Sequence, residues 1–382
     1  MKPSIFTQPS ECSGCQACVE VCPKHCITMF KDKEHFVYPF VDENLCIDCH
    51  RCEKVCPFKD CSLNIVQSAA VGVHSREEEI FKSSSGGAFW ALCQILIPQG
   101  YVVAGVKWTD DFRVVHDIAY TLEDAQAFRK SKYIMSDTNG VYFKIKSLLK
   151  EGRKIMFSGS PCQVAACKKI IGENENLLLV DLVCHGAPNQ DIFNKEVEYL
   201  EKKHKGKLNY FEFRQKKNIA GKVNSRSARY IIGDKEYIVG INDDPFLKGY
   251  YTRLFYRPSC GTCHFARPER IGDITIADAW GVNELFENFN DLSGTSTILF
   301  NTDKGNMVKD HLHAYMSLRS VPVQWVIDSN QQLRSPTIMH SNRHVFFSHI
   351  EQESIFQAVK LAQPTSIFML LKKFLKLVLN KL

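Results

Sequence analysis

Eight cysteines near the amino terminus repeat one spacing twice, and no other feature of the 382-residue chain limits its fold so tightly. Cys12, Cys15, Cys18 and Cys22-Pro23 read C-x2-C-x2-C-x3-C-P, and Cys46, Cys49, Cys52 and Cys56-Pro57 read the same. Three thiolates at i, i+3 and i+6 in a tight loop fit three corners of a cubane, while the fourth, carried away by a short helix, serves the other cluster. The spacing therefore predicts one 4Fe-4S cluster on Cys12, Cys15, Cys18 and Cys56, and a second on Cys46, Cys49, Cys52 and Cys22. Each proline caps the turn that aims the fourth thiolate across. A pair of zinc knuckles explains the pattern less well, because zinc takes four tetrahedral ligands, usually from two C-x2-C pairs. Cys26 and Cys61 fall outside the repeat and are read as small buried hydrophobes without a ligand role.

This stretch, about residues 5 to 65, resembles the bacterial two-cluster ferredoxin module, whose clusters pass one electron at a time. Ten of the 16 cysteines lie in the first 61 residues. Met1 to Ser10 has no apolar run of signal-peptide kind, and nothing approaches the roughly 18 to 20 uncharged apolar residues of a membrane span. The expectation is a cytoplasmic protein, where thiols stay reduced and dense cysteines mean metal rather than disulfides. A composition of 45% hydrophobic and 24% charged residues excludes the disordered and fibrous classes. The net charge of +6 is uneven: residues 1 to 66 hold seven Lys/Arg against nine Asp/Glu, leaving +8 on the remainder, which suits an anionic ligand.

After Asn64 cysteines thin out and strand and helix patterns alternate. Ala69 to Val73, Tyr101 to Trp108, Lys154 to Phe157 and Leu177 to Val183 read as strands, the last two buried and parallel. Ala88 to Ile97 is apolar almost all round, a buried helix entered from Gly86-Gly87 and ended by Pro98 and Gly100, with Cys93 as packing. The expected fold class is α/β (α+β overall): residues 1–65 ferredoxin-like with two clusters, residues 66–345 a larger α/β domain, and residues 346–382 a helical tail. No G-x-G-x-x-G occurs, so nothing supports a Rossmann dinucleotide site of the usual kind.

Four further cysteines follow strands or form a pair. Cys162 comes after Ile155 to Pro161, and Cys184-His185-Gly186 after Leu179 to Val183. Parallel neighbours joined by the helix after Cys162 would bring both thiols to one carboxyl edge, ~4.8 Å being the strand spacing. Cys260-Gly261-Thr262-Cys263 is the remaining C-x2-C. These four predict a third 4Fe-4S cluster; structural zinc on the same thiolates, or Cys162 and Cys184 as buried free thiols, is the competing reading. Cys167 points away from the edge and is read as packing. His185 is a proton-handling candidate by position alone, and no residue is assigned as catalytic.

Taken in order, Ser84 to Ala88, Gly105-Val106, Ser131 to Tyr133, Phe157 to Gln163, Cys184 to Gly186, Phe213-Arg214, and Arg257 to Cys260 through Trp280-Gly281 resemble the coenzyme F420 hydrogenase/dehydrogenase beta-subunit family, in the form with a two-cluster ferredoxin fused ahead of the flavoprotein body. The matching stretches span about residues 66 to 300. The resemblance implies FAD in the body, a 4Fe-4S cluster beside it, and reaction with a deazaflavin or another two-electron carrier or small-molecule substrate. It implies that Ser84, Ser85, Gly86 and Gly87 offer N–H groups and a helix end to a pyrophosphate, that Lys132 and Tyr133 approach the cofactor, Lys132 with its charge, and that Ser158 and Gly159 line the isoalloxazine or the cluster. Ordinary helix capping and a solvated lysine are the bland alternatives. Hydrogenase members of the family are one subunit of a larger machine, and no second C-x2-C pair remains for nickel and iron, so a partner would be needed for hydrogen. Bacterial relatives without deazaflavin resemble enzymes of surface-polysaccharide loci. Two functions follow as expectations: an iron–sulfur flavoprotein oxidoreductase, or an electron-transfer adaptor that serves a redox partner protein or ferredoxin and has no substrate of its own.

The basic region Lys202 to Arg229, with Phe211, Phe213 and Tyr230 interleaved, reads as a solvated helix face and loop rather than a nucleic-acid patch. Residues 364 to 382 are apolar with four lysines and no acid. That tail reads either as a helix lying on a membrane surface or as one docked on the body or a partner.

Overall fold

A single hairpin backs the cysteine loops. Its strands β1 (Ile27–Lys31) and β2 (Val37–Val41) pair antiparallel, with Ile27 opposite Val41 and Lys31 opposite Val37. The doubled sequence becomes doubled structure: short helices Ala17–Glu20 and Arg51–Lys54 each start after a left-handed residue, Gln16 (φ 63°) and His50 (φ 54°), and each carries its run's third cysteine, Cys18 or Cys52, inward. The structure is a computed structural model; it describes residues 3–364 except 139, 217, 220–221, 224–225, 288 and 290–293.

Beyond the hairpin run β3 (Ser68–His74), β4 (Tyr101–Trp108), β5 (Val114–Ala119), β6 (Lys154–Gly159), β7 (Leu177–Leu182), β8 (Leu208–Phe213), β9 (Asn218–Ile219), β10 (Lys222–Val223), β11 (Ser227–Ile232), β12 (Lys235–Gly240), β13 (Ile274–Asp278), β14 (Ser296–Phe300) and β15 (Met316–Val321). Eight of them form one mixed sheet in the order β15-β3-β14-β13-β7-β6-β4-β5. Its centre, β13, β7, β6 and β4, is parallel, and antiparallel strands flank it on both sides. Side chains alternate between faces along these strands. Met156, Leu178 and Val180 pack with the helix Ala88–Leu96, whereas Ile155, Phe157, Leu177 and Leu179 pack with the helices Val141–Lys150 and Pro161–Ile171. Both faces are covered, which is why these strands read as unbroken apolar runs. The α/β class expected from sequence is borne out.

The arrangement that matters for function is the crossover from β6 to β7. These strands are parallel neighbours, Ile155 opposite Leu177 and Gly159 opposite Asp181, joined through the helix Pro161–Ile171. Ser160 and Gln163 cap that helix and Pro161 fills its first turn. Cys162 therefore sits at the same carboxyl edge as Cys184, two residues past β7. Cys167 and Cys93 are fully buried in the two cores, as packing residues.

A second, three-stranded sheet, β12-β11-β8, packs against the helices Gln190–His204, Pro245–Tyr251 and Ile355–Ala362 over an aromatic core that includes Phe193, Phe211, Phe213, Phe246, Phe255 and Phe346. Here the expectation for Lys202 to Arg229 needs correcting. Among its described residues only the start is helical; Phe211, Phe213 and Tyr230 lie on β8 and β11 and are buried, because alternate positions of these strands face the core rather than solvent. The chain stays in this core to Ala362. The tail from 365 onward, with its membrane-surface reading, lies outside the described residues. Among the described residues no helix is long and apolar enough to cross a membrane.

Two carboxyls are buried between these helices. Glu196 is fully buried with neither oxygen hydrogen-bonded among the described residues, and Asp244 caps the helix Pro245–Tyr251 through Leu247 N. Burial and then the neighbouring Asp244 raise Glu196 well above the usual carboxyl range, and burial raises Asp244 to about 6. The folded protein then holds protons that the unfolded chain releases near pH ~4. Stability is full below that pH and falls as pH rises through about 6 and beyond. Glu196→Gln should flatten the decline, so its Tm advantage over the wild type should widen with pH; a pH-independent difference would contradict this.

Candidate metal centres and cofactor site

The hairpin and the two short helices enclose two recesses. Cys12, Cys15, Cys18 and Cys56 line one, about 360 Å³, together with Gly14, Pro57 and Phe58. Cys22, Cys46, Cys49 and Cys52 line the other, about 320 Å³, with Pro23 and Ile47. These are the two crossed sets that the spacing predicts, each borrowing its fourth thiol from the other run. Four thiols facing one recess suit a cubane. Cys15, Cys18, Cys22 and Cys52 are buried, and Cys49 is exposed. Burial pushes the Cys52 thiol up to about 11 and raises Cys18 further, so these groups are neutral until a metal displaces their protons. Sequence reasoning left out Cys26, yet it lines the second recess with its Sγ 3.3 Å from Cys22 Sγ. Only its nearness to Cys22 in the chain hinted at this.

At the carboxyl edge of the sheet the structure brings Cys162, Cys184, Cys260 and Cys263 together. Burial comes first in raising Cys184, and the adjoining Cys260, Cys162 and Cys263 thiols raise it further. Cys260 is pushed to about 12 and Cys263 to about 11, burial leading in both. Among the described residues no three Cys, His, Asp or Glu side chains converge as one metal ion requires. The loop bearing Cys260 and Cys263 is tied to β7 by a buried ion pair. Arg270 Nη2 donates to Asp181 Oδ2 (2.7 Å) and Nη1 to Phe265 O (3.0 Å), with side chains 1% and 0% exposed. Thr275 Oγ1 donates to the other Asp181 oxygen.

The three sets adjoin in series. Cys18 lies within electrostatic reach of Cys52, and Cys15 of Cys162, so the set on Cys12, Cys15, Cys18 and Cys56 stands between the other two. On its far side Cys184 stands beside Tyr250 and Tyr256. Tyr133 stacks on Tyr250 (4.1 Å between centroids, 9° between planes) and shares a hydroxyl hydrogen bond with Tyr251 (3.2 Å). Arg214, next to this stack, grips Asp278 with two bonds of 2.7 and 2.8 Å. Burial acts to raise Asp278, but Arg214 holds its carboxyl below the usual range.

The sequence-derived cofactor residues divide into two groups. Ser84 accepts a hydrogen bond from Ser131 N (2.7 Å), Ser85 Oγ donates to Thr295 O (2.8 Å), and Lys216 Nζ donates to Ser85 O (2.5 Å). Gly86 is wedged so closely over β3 and β14 that a Cβ would collide with Gly72 O and Ser296 N. Gly87 (φ 96°) opens the helix Ala88–Leu96. Ser84, Ser85, Gly86, Gly87, Ser131 and Tyr133 thus share one end of the edge. Among the described residues Thr295 Oγ1 and Arg214 Nε there are buried without a hydrogen-bond partner, which suits a polar ligand. Lys132 turns elsewhere: Nζ donates to Ala127 O (2.9 Å) and Arg129 O (2.8 Å), and burial lowers it to about 7. Ser158 and Gly159 end β6, four strand spacings (~19 Å) from β3. Their neighbours are His116, which bonds Ser158 O, and Gln163, in the turn before Cys162. Burial lowers His116 to about 4, leaving it neutral.

The two cysteine-lined recesses have the donor set of a 4Fe-4S dicluster domain. Residues 152–322 match the family model described as the carboxyl-terminal part of the coenzyme F420 hydrogenase/dehydrogenase beta subunit, and residues 11–59 match that of the 4Fe-4S dicluster domain, in line with the resemblance read from sequence. A curated relative, "Ferredoxin 7Fe" from Hydrogenibacillus schlegelii, is 40% identical over 53 residues, 14% of this chain; the match spans 62% of that ferredoxin. Among solved structures, a chain of the F420-reducing [NiFe] hydrogenase complex from Methanosarcina barkeri is similar over 79% of this chain and 91% of its own, with 15% identity and a TM-score of 0.45.

Proposed function

We propose that the chain is an iron–sulfur flavoprotein oxidoreductase that moves electrons between 4Fe-4S clusters and a two-electron carrier or substrate. The observation that carries this reading is the unbroken series of thiol sets, from exposed Cys49 through Cys52 and Cys18, Cys15 and Cys162, to Cys184 beside Tyr250 and Tyr256. On this reading Cys12, Cys15, Cys18 and Cys56 hold one cluster, Cys22, Cys46, Cys49 and Cys52 the second, and Cys162, Cys184, Cys260 and Cys263 the third. FAD lies along the edge near Ser84 to Gly87 and Tyr133. Clusters supply single-electron transfer and the flavin exchange between electron pairs and single electrons.

The chain's own residues set the stage for that exchange. The Ser84 to Gly87 loop, pinned by Ser131, Thr295 and Lys216, presents a helix end to the pyrophosphate. Arg214, fixed by Asp278, keeps a positive charge beside the Tyr133–Tyr250 stack. The aromatic wall excludes water between this place and Cys184. The carrier is a deazaflavin or, in organisms that lack one, an acceptor connected with surface-polysaccharide synthesis.

The adaptor reading, with no substrate of its own, draws support from the exposed Leu45 and Ile47 beside Cys46 and Cys49, which suit a docking partner. Anaerobic purification followed by iron, sulfide and flavin counts tests both. About twelve irons and one flavin per chain are expected; about eight irons without flavin would leave only the adaptor.

A further inference from the structure

Arg257 is 3% exposed and lies where the amino-terminal cysteine loops meet the body. Its Nε donates to Cys12 O (2.6 Å) and its Nη2 to Val37 O (2.7 Å), and Nη2 stands 3.7 Å from Cys12 Sγ. The guanidinium covers Tyr38 at 4.4 Å and Phe36 at 5.5 Å. Gly14 (φ 71°) makes room for it, since a Cβ there would stand 2.8 Å from Arg257 Nη1. On the body side, Arg257 N donates to Ala187 O (3.1 Å), three residues past Cys184, and its carbonyl accepts from Cys260 N (2.9 Å). Its charge also acts on the Cys162 and Cys260 thiols.

Nearby arginines have carboxylate partners, Arg343 with Glu34 and Arg270 with Asp181. Among the described residues Arg257 forms no such pair. A buried, unbalanced cation is costly unless other negative charge lies close. Sulfur is what lies close. A thiolate-bound cluster gains negative charge on reduction, and nearby charge and hydrogen bonds to its sulfurs set its potential. In a low-dielectric interior a fixed positive charge favours the reduced form.

We propose that Arg257 is a positioning residue that raises the reduction potential of the cluster on Cys12, Cys15, Cys18 and Cys56 by holding a carboxylate-free positive charge against its Cys12 corner. The middle station of the series thereby becomes a resting place for an electron between the exposed cluster and the body. This inference rests on the ligand reading given above.

The test is a redox titration of the anaerobically purified full-length protein followed by electron paramagnetic resonance, with iron counted in every sample. In Arg257→Met the reduced-to-oxidised ratio of one cluster, at its wild-type midpoint, should fall about tenfold, ~59 mV for a one-electron couple. Arg257→Lys should recover most of that ratio. If Arg257→Met loses iron, Arg257→Gln, which keeps a donor but no charge, gives the same comparison. Unchanged midpoints in an iron-replete uncharged variant would overturn the proposal, as would a lysine variant as shifted as the uncharged one. Fewer than about eight irons in the wild type would instead sink the ligand reading, and this inference with it.

Discussion

Cys260→Ala should lower the iron content from about twelve to about eight per chain and leave the two ferredoxin-type clusters spectroscopically intact. The expectation follows from the nearness of four half-buried thiols from three separate segments: the first turn after β6, the residues after β7, and the short 3-10 turn Pro258–Thr262 with Cys263 just after it. Removing one leaves three thiols at the edge and cuts the series between Cys15 and the tyrosine wall. Electron delivery to any acceptor held by the body should then fall by orders of magnitude, while reduction of the exposed end by a chemical reductant continues. Cys167→Ala is the control, because Cys167 is buried in the core away from the edge and should leave iron unchanged. Iron that stays at the wild-type level in Cys260→Ala while zinc disappears would refute a third cluster.

Asp181→Ala should be the most destabilising single change that touches no proposed ligand. It strands Arg270 in the interior with its charge uncompensated and leaves the Thr275 hydroxyl without its acceptor. Breaking a buried pair in this way costs about 3–5 kcal/mol. The effect should reach the Cys260 and Cys263 loop, because Arg270 also holds Phe265 O, two residues past Cys263. Urea unfolding of the anaerobic variant should show a loss in that range together with reduced iron occupancy. A loss below about 1 kcal/mol would mean that the pair is not what fixes the loop.

Spacing alone made the amino-terminal sites legible. Three thiols within seven residues and a proline after the fourth leave the backbone few options, so the crossed sets around Cys12 and Cys46 follow from local geometry. The edge position of Cys162 and Cys184 was also legible, because two short apolar runs separated by one helix length make a parallel pair nearly obligatory. What the sequence concealed depends on which distant strands become neighbours. Nothing local in Lys202 to Arg229 says that Phe211 and Tyr230 face a core completed by Phe346 and Ile355. Likewise, Ser158 and Ser84 both look like small residues before a helix, yet the strands they adjoin, β6 and β3, lie four strand spacings apart in the sheet. The resemblance singled out the stretches that hold Arg214 and Asp278, but nothing in it paired them, since the partners of this clasp are 64 residues apart.

The crossing of the two cysteine runs has a consequence for biogenesis. Each recess is closed by a thiol from the opposite half of the repeat, Cys56 for one and Cys22 for the other. Neither half is therefore a self-sufficient unit that could be excised, permuted or matured by itself. Loading iron into either chamber should draw the opposite half's helix and its cysteine into place for its sibling, so occupancy of the pair should rise together during maturation, and a chain interrupted between Val37 and Asp42 should hold neither.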